Sequence, residues 1–340
     1  MKSKIDDNDI RFKIISNPDD ILHYIQMGTS IPIWDDFYDT IKHDLRFFNA
    51  RSIIMEENGL PVSHVLIYSN GDQILYFGYF KVINDNPNKI GLLIKKIVQY
   101  AREKNFKLIR GPINIPTIIF GWGFMEEGSL DNLYIGKPIN PGIYQELFLQ
   151  NEFYLKVKEI SWEGKVPEIC IPDLEQTNLD DYHFFNPKDW DDLIRLKPIF
   201  IEINAKNLPP ESIITPKIGD LFENYAKFVF KYGGKKMFFF VRYKPTGKII
   251  ACGSNIPNLF QIEKKNALKS FVAYTIAIEL EYRNKGLSMF IIKMNFSEMK
   301  KQGMNHISGP TESSHEISER LAKNLGLKNK RAHLVLERSL

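Results

Sequence analysis

The sequence predicts an α/β (α+β) protein of two tandem domains, each built on a mixed, mostly antiparallel sheet flanked by helices. Two observations predict this fold: the chain has 340 residues, and the same order of helices and strands occurs twice along it. A chain of this length exceeds what a single hydrophobic core usually serves. We expect a first domain at 8–163, a linker at 164–181 that is rich in proline, glycine and acidic residues, and a second domain at 182–340.

The repeat is clearest around two segments that end in Gly-Pro. Residues 102–112 read REKNFKLIRGP and residues 300–310 read KKQGMNHISGP. In both cases this is the basic end of a helix, a turn, a short strand and Gly-Pro. Upstream of each segment lie a helix, a hairpin, a strand and an amphipathic helix, and downstream lie another helix and a closing strand.

The individual elements follow from local patterns. The first hairpin turns at Asn58-Gly59, a strong turn pair, and the second turns at Lys-Pro-Thr-Gly in residues 244–247. Each amphipathic helix has one apolar face with helical spacing. These faces are Leu93, Ile94, Ile97 and Ala101 in the first half, and Met289, Ile292, Phe296 and Met299 in the second.

Composition argues against binding of nucleic acid or membranes. The net charge of +4 comes from 45 basic and 41 acidic residues without a basic tail, whereas a nucleic-acid surface needs clustered cations. The first residues turn acidic where a signal peptide would turn apolar, and no apolar stretch has the length of a membrane span. We therefore expect a soluble cytoplasmic protein.

Several kinds of site are also excluded by pattern. The seven histidines are scattered without the spacing of a metal site, so we expect no metal. There is no G-x-S-x-G elbow and no Walker A sequence. Cys170 and Cys252 form no paired spacing, and we expect reduced thiols, with Cys252 in the core.

The second half carries a candidate anion site where a strand meets a helix. The strand is followed by a turn that fits the pattern R/Q-x-x-G-x-G/A, namely Arg283-Asn284-Lys285-Gly286-Leu287-Ser288. A glycine-bearing turn lets several backbone N–H groups converge, and the helix N-terminus adds partial positive charge. Arg283 and Lys285 add formal charge suited to a diphosphate. Ser288 alternatively caps the helix.

The first half lacks this chemistry. Sliding the repeat by the offset of the two Gly-Pro pairs places Asp85 at the position of Arg283, Pro87 at that of Lys285 and Asn88 at that of Gly286. Proline removes an N–H donor, and a carboxylate repels a diphosphate. We expect the first domain to serve a structural role, or to shape a cleft for the second. Its aromatic, glycine-rich segment at 118–124 is either a loop folded over its own core or a lid.

With these motifs in order, the chain resembles the GNAT superfamily of acyl-CoA N-acyltransferases along nearly its whole length. More narrowly, it is similar to the tandem YghO-like group of N-acyltransferases. The residues that carry the resemblance include Phe77-Gly78-Tyr79-Phe80, Gly111-Pro112-Ile113-Asn114, Asn140-Pro141, Ile256-Pro257-Asn258 and the turn around Gly286.

The resemblance implies a sheet that splays after its fourth strand, with the pantetheine arm of acetyl-CoA or another acyl-CoA in the split. It implies that backbone groups near Ile278 and Leu280 pair with this arm, and that N–H groups from Arg283 to Ser288 hold the pyrophosphate. It also implies direct attack of a primary amine on the thioester in a ternary complex, with a small-molecule or peptide amine as acceptor.

The proton-handling residues are open at this stage. GNAT enzymes often have a tyrosine four residues before the glycine of the last helix, but Gly326 places Ala322 there. His315 falls near a frequent asparagine of the family, where it interacts with the thiolate or caps the helix. Glu279 is the candidate base, directly or through water.

Two other functions remain as alternatives. Tandem GNAT folds also serve Fem-type transferases that use aminoacyl-tRNA, and these would need an extended basic groove. The missing tyrosine and the altered first half are also compatible with a non-catalytic protein that binds CoA or another ligand.

Overall fold

The computed structural model describes residues 10–128, 130, 132–168, 179–208, 215–261, 267–283, 285–313 and 315–340. Its contacts divide the chain into two compact units. Unit 1 comprises Met1–Gly128, Gly136–Lys158 and Ala332–Leu340, and unit 2 comprises Ser129–Ile135 and Glu159–Arg331. Most of the predicted linker lies outside the described residues.

The predicted elements occur in the predicted order along the chain, but the structure adds others. Each half begins with a strand and has two helices before its hairpin, and the first half has a further short helix and strand after Gly-Pro. The helices and strands of the first half are β1 (Ile10–Ile15), α1 (Pro18–Ile25), α2 (Tyr38–Phe47), β2 (Arg51–Glu57), β3 (Leu60–Tyr68), β4 (Ile74–Val82), α3 (Pro87–Glu103), β5 (Leu108–Gly111), α4 (Thr117–Phe120), β6 (Phe124–Gly128), α5 (Gly142–Gln150) and β7 (Tyr154–Lys165). Those of the second half are β8 (Tyr182–Phe185), α6 (Trp190–Asn207), α7 (Ile218–Gly233), β9 (Phe238–Tyr243), β10 (Ile249–Pro257), β11 (Ser270–Ile278), α8 (Leu287–Lys301), β12 (His306–Glu312), α9 (Glu316–Asn324) and β13 (Lys328–Ser339).

Both units have the same strand topology. The sheet of unit 1 runs β1-β2-β3-β4-β5-β13, and that of unit 2 runs β8-β9-β10-β11-β12-β7. The β4–β5 and β11–β12 pairs are parallel, whereas the other neighbours in these two orders are antiparallel. The predicted fold class of two mixed, mostly antiparallel sheets flanked by helices is confirmed.

The units and the predicted ranges differ at the last strand of each half. The end of β13 pairs with β5, so Ala332–Leu340 groups with unit 1 instead of ending unit 2. In the same way β7 pairs with β12, so the part of β7 from Glu159 onward groups with unit 2. The reason is that each half offers a similar antiparallel partner, the strand that carries a Gly-Pro segment, and local sequence does not select between the two copies.

Each sheet opens next to its parallel strand pair. The pairing covers only three residue pairs, from Ile74–Leu108 to Tyr76–Arg110 in unit 1 and from Ser270–His306 to Val272–Ser308 in unit 2. Beyond the last pair, β4 and β11 each carry an extra residue relative to the preceding strand, which is a β-bulge. The predicted splay is thus present in both sheets, and we call each opening the split.

The predicted apolar helix faces are buried. In unit 1, all four residues of the α3 face lie in one core cluster with aromatic rings from β4 and α5, and the Phe77 and Phe148 rings stack with centroids 5.0 Å apart. In unit 2, Ile292, Phe296 and Met299 of α8 are buried, whereas Met289 is only partly buried. Helical periodicity therefore located the core side of both helices.

A fully buried histidine links three strands of unit 1. His64 on β3 forms hydrogen bonds with the Ser52 hydroxyl (2.8 Å) and, through Nδ1, with the Tyr79 carbonyl (3.2 Å). Burial lowers the pKa of His64 from 6.5 to about 3, because the charged ring would lose its hydration, and the bond to the Tyr79 carbonyl offsets only part of this. The folded protein therefore holds His64 as the neutral ring.

Acidification is expected to destabilise the protein through His64. Between pH 6.5 and about 3, the unfolded chain binds a proton at this residue that the folded chain does not bind. This contribution to stability is fully present above pH 6.5 and falls by about 1.4 kcal/mol per pH unit below it. Urea unfolding of wild type and His64→Gln across this range measures it. Equal pH slopes in the two proteins would contradict the assignment.

Candidate functional site

In unit 2, β11 leads through a short turn into α8. The strand ends at Ile278 and one 3₁₀ turn follows at Leu280–Tyr282. Gly286 precedes the helix with φ 72°, a left-handed conformation that glycine adopts without strain. Among the described residues no side chain caps α8, so its first N–H groups are not bonded to a capping group. Ser288 lies in the first turn and is exposed, so the prediction that it caps the helix is wrong.

The two predicted cations of this turn have different environments. Arg283 folds back along the strand, where its Nε donates to the Ile278 carbonyl (3.0 Å) and its Nη2 donates to the Asn207 carbonyl (2.8 Å). Lys285 is exposed, with its Nζ 5.5 Å from the centroid of the Tyr282 ring. Asn284 lies outside the described residues. The turn therefore has two solvent-exposed cationic side chains, one of them anchored to backbone carbonyls.

The alternation of backbone groups along β11 shows which of its residues face the split. The Glu279 N–H donates to the Ile250 carbonyl of the neighbouring β10 (2.9 Å). Successive residues of a strand point their backbone groups to opposite edges, so Ile276 and Ile278 turn theirs toward the split. Leu280, by contrast, accepts the Arg283 N–H within its own 3₁₀ turn (3.2 Å). The edge available to an extended ligand thus ends at Ile278.

In unit 1 the split is filled by the chain itself. After Gly111-Pro112, the chain stays beside β4, and the Ile113 N–H donates to the Phe77 carbonyl (2.7 Å). The Tyr79 N–H donates to Oδ1 of Asn114 (2.6 Å), and Asn114 is buried. The edge of β4 at the split therefore already has hydrogen-bond partners, supplied by the segment that follows the Gly-Pro pair.

The same segment takes another course in unit 2. Past Gly309-Pro310, β12 continues in antiparallel pairing with β7 as far as the Glu312–Glu159 pair. It therefore runs beside β7, and its pairing with β11 ends at the Val272–Ser308 pair. Among the described residues of unit 2, no segment after Gly-Pro takes the place that residues 113–114 take in unit 1.

The helix that leaves the split also begins differently in unit 1. Asn86 precedes α3, and its side-chain oxygen accepts the N–H groups of Asn88 (3.0 Å) and Lys89 (3.2 Å). The residue at the place of Gly286 is therefore Asn86. The placement of Asn88 there by sliding the repeat is wrong, because α3, with 17 residues, is longer than α8, with 15, and the slide is anchored on the Gly-Pro pairs that follow the two helices. The capping oxygen occupies the N–H groups that an anion would need.

The two candidate proton-handling residues are held by separate partners. The Glu279 side chain is 12% exposed and lies 3.9 Å from Nζ of Lys248, which is closer to Glu281 at 3.1 Å. His315 occupies the position before α9 without capping its N–H groups, and its Nδ1 bonds instead to the Ser318 hydroxyl. The capping interpretation of His315 is therefore wrong.

Sequence reasoning missed a polar group on the face of β11 that packs against α6. The Thr275 hydroxyl donates to Oδ1 of Asn204 (2.7 Å), and Nδ2 of Asn204 lies 3.3 Å from Sγ of Cys252. Cys252 is buried as predicted, and burial raises the pKa of its thiol. A threonine in the middle of a largely apolar strand was the only signal in the sequence, and α6 had no motif to pair with it.

The aromatic segment at 118–124 of unit 1 overlaps α4. Its residues Ile118, Ile119 and Phe120 are buried, which supports a loop folded over its own core.

Two further expectations concern metals and membranes. Within the described ranges, no three or more His, Cys, Asp or Glu side chains form a group able to hold a metal ion. No helix in those ranges combines the length and apolar character needed to cross a membrane.

Comparison with known proteins connects this geometry to one fold. No protein-family model matches the sequence, and no curated protein matches it. Among solved structures, a tandem GNAT protein from the clavulanic acid biosynthesis pathway is similar over 97% of this chain and 98% of its own, with a TM-score of 0.59 and 9% identity. GNAT denotes the GCN5-related N-acetyltransferases.

Two further structures show the same likeness. The glucosamine N-acetyltransferase region of a fungal multi-domain GH3 β-N-acetylglucosaminidase matches 98% of this chain and 38% of its own, with a TM-score of 0.65 and 15% identity. A protein from Enterococcus faecalis V583, described as a probable N-acyltransferase, matches 97% of this chain and 72% of its own, with a TM-score of 0.57 and 10% identity. The chain therefore has the tandem GNAT fold.

The filled split of unit 1 predicts opposite effects for two Gly→Ala substitutions. A Cβ at Gly78 would lie 2.4 Å from the Ile113 carbonyl oxygen, so Gly78→Ala should destabilise the protein by about 1–3 kcal/mol. Gly91 lies in α3 with nothing within 4 Å of such a Cβ, so Gly91→Ala should stabilise it by about 0.5–1 kcal/mol. Urea unfolding measures both. Equal stability of the two variants would show that residues 113–114 do not fill the split.

Proposed function

We propose that this protein is an acyl-CoA-dependent N-acyltransferase that binds its acyl-CoA in unit 2. One observation supports this above the others. Within the described residues, the split of unit 1 is bonded by its own chain, whereas the split of unit 2 runs from the Val272–Ser308 pair to an uncapped helix start behind Gly286. An extended ligand with a diphosphate at one end matches this arrangement.

The binding roles follow from the chemistry of each group. The diphosphate is held by the turn and by the start of α8. The turn residues are Arg283, Asn284, Lys285 and Gly286, and the helix contributes the N–H groups of Leu287 and Ser288. The backbone groups of Ile278, with Leu280 beside them, pair with the pantetheine arm. Because the Arg283 guanidinium bonds to the Ile278 carbonyl in the ligand-free chain, it moves from this carbonyl toward the diphosphate when the arm binds.

The reaction is direct transfer in a ternary complex. The amine nitrogen forms a bond to the thioester carbonyl carbon, the carbon–sulfur bond breaks, and coenzyme A leaves as a thiolate. The proton lost by the amine passes to Glu279 and the thiolate takes a proton from His315. Thr275 lies near the start of the split, and Glu279 lies four positions further along the chain, or about 13 Å of extended strand. The proton transfer from the amine to Glu279 therefore goes through water.

The finer assignment concerns the acyl group and the acceptor. We propose acetyl-CoA as the acyl donor and a primary amine of a small molecule or peptide as the acceptor, and we propose that the chain belongs to the YghO-like group. This chain shares its fold with a glucosamine N-acetyltransferase region and with a probable N-acyltransferase, which is consistent with the proposed donor and the proposed acceptor. Ala322, where GNAT enzymes often have an acidic tyrosine, favours the alternative of a protein that binds CoA without catalysis.

Calorimetric titration of acetyl-CoA tests the site. Wild type should bind one acetyl-CoA per chain, and Gly286→Asp should weaken binding by more than about a hundredfold, because a carboxylate is placed against the diphosphate. Gly286→Asn is the matched control, since asparagine has the same shape without the charge and tolerates a left-handed conformation. Asn86→Asp in unit 1, at the position that corresponds to Gly286, keeps a capping oxygen and should bind like wild type.

The outcomes separate the candidate functions. Equal loss of binding in Gly286→Asp and Gly286→Asn, or loss of binding in Asn86→Asp, would contradict the assignment of the site. Binding without thiol release across a panel of primary amines would favour the non-catalytic protein. If turnover is found, Glu279→Gln should abolish it, whereas Glu281→Gln, which removes the other carboxylate near Lys248, should not.

A further inference from the structure

Unit 2 presents a hydrogen-bonded pair of polar side chains, Asn204 and Thr275, where α6 packs against β11. Nδ2 of Asn204 donates to the Phe200 carbonyl of its own helix (2.7 Å) and lies 3.3 Å from Sγ of Cys252. These contacts fix the orientation of the amide, because a carbonyl can only accept. Oδ1 of Asn204 must therefore be the atom that faces Thr275.

The direction of the next hydrogen bond follows from this. Oγ1 of Thr275 lies 2.7 Å from Oδ1 of Asn204, an atom without a hydrogen, so the hydroxyl donates its only proton to Asn204. The remaining lone pairs of Oγ1 can only accept. Thr275 and Asn204 are both partly exposed, so these lone pairs are within reach of a ligand.

Thr275 also lies where an acyl group would be expected. It follows the bulge residue Tyr274, just beyond the last parallel pair at Val272, and three residues or about 10 Å separate it from Ile278. A pantetheine arm that runs from the Gly286 turn along this edge brings its thioester toward the bulge. On the α8 face of the strand, Ile276 and Ile278 pack against an apolar cluster, so the polar partner for a reacting group is on the α6 face.

We infer that Oγ1 of Thr275, oriented by Asn204, accepts an N–H from the acceptor amine and directs the nitrogen lone pair toward the thioester carbon. The inference rests on the proposed acyltransferase function. A neutral primary amine has two N–H groups, of which one bonds to Thr275 and the other is lost as the new bond forms. An alcohol would use its single proton on Thr275 and have none to transfer to the base. The Asn204–Thr275 pair therefore selects amines over alcohols as acyl acceptors.

Steady-state kinetics on substituted proteins test this role. The probes are acetyl-CoA with glucosamine, putrescine, tyramine and a lysine-containing peptide, and the best of these amines is carried forward. Thr275→Val keeps the shape but removes the acceptor, and it should raise the KM for the amine by about tenfold. Thr275→Ser keeps the hydroxyl and should stay within about twofold of wild type. The calorimetric Kd for acetyl-CoA should be unchanged in both.

A double-mutant cycle separates orientation from a merely structural role. Asn204→Ala releases the Thr275 hydroxyl and should raise the KM for the amine as Thr275→Val does, and the double variant should show no further increase. Additive effects, or an unchanged KM in Thr275→Val, would overturn the inference while leaving the acyl-CoA site intact. If wild type does not bind acetyl-CoA, or does not react with any of the four amines, the proposed function is overturned instead.

Discussion

The backbone groups at the open edge of a strand must find hydrogen-bond partners, and this requirement governs both units of the protein. Each sheet has a parallel strand pair that stays together for only three residue pairs, which leaves an edge of the longer strand facing a split. A buried N–H or carbonyl without a partner is costly. Each unit must therefore supply the partner from its own chain or leave the edge to solvent and ligand.

The two units meet this requirement in opposite ways, although each contains a Gly-Pro pair in the chain that follows its parallel strand pairing. In unit 1 the chain stays beside β4 after Gly-Pro, and Ile113 and Asn114 bond to Phe77 and Tyr79. In unit 2 the chain runs on beside β7. The helix starts differ in the same sense, since Asn86 caps α3 with its own side chain whereas Gly286 leaves α8 without a side-chain cap among the described residues. The split of unit 1 is thus closed by hydrogen bonds from its own chain, whereas the split of unit 2 is the one in which we propose a ligand.

Most of the fold could be predicted from the sequence because it is encoded locally. Helical spacing identified the buried face of α3, and the Asn58-Gly59 pair and the repeated Gly-Pro segments gave the order of elements.

The exchange of the closing strands could not be predicted. The pairing of β7 with β12 and of β13 with β5 is decided by contacts that are distant in sequence. The fold-back of Arg283 and the Asn204–Thr275 pair were missed for the same reason: each depends on a partner in α6 that no motif marks. The slide of the repeat also failed at Asn88, because α3 is longer than α8 and the slide was anchored on the Gly-Pro pairs that follow these helices.

Hydrogen–deuterium exchange with and without acetyl-CoA tests the difference between the two splits most directly, because it reports backbone hydrogen bonds in both units of the same molecule. Addition of acetyl-CoA should slow exchange at residues 276–288 and leave residues 77–90 unchanged. Slower exchange at 77–90, or no change at 276–288 under saturating acetyl-CoA, would contradict the account of one closed and one ligand-binding unit.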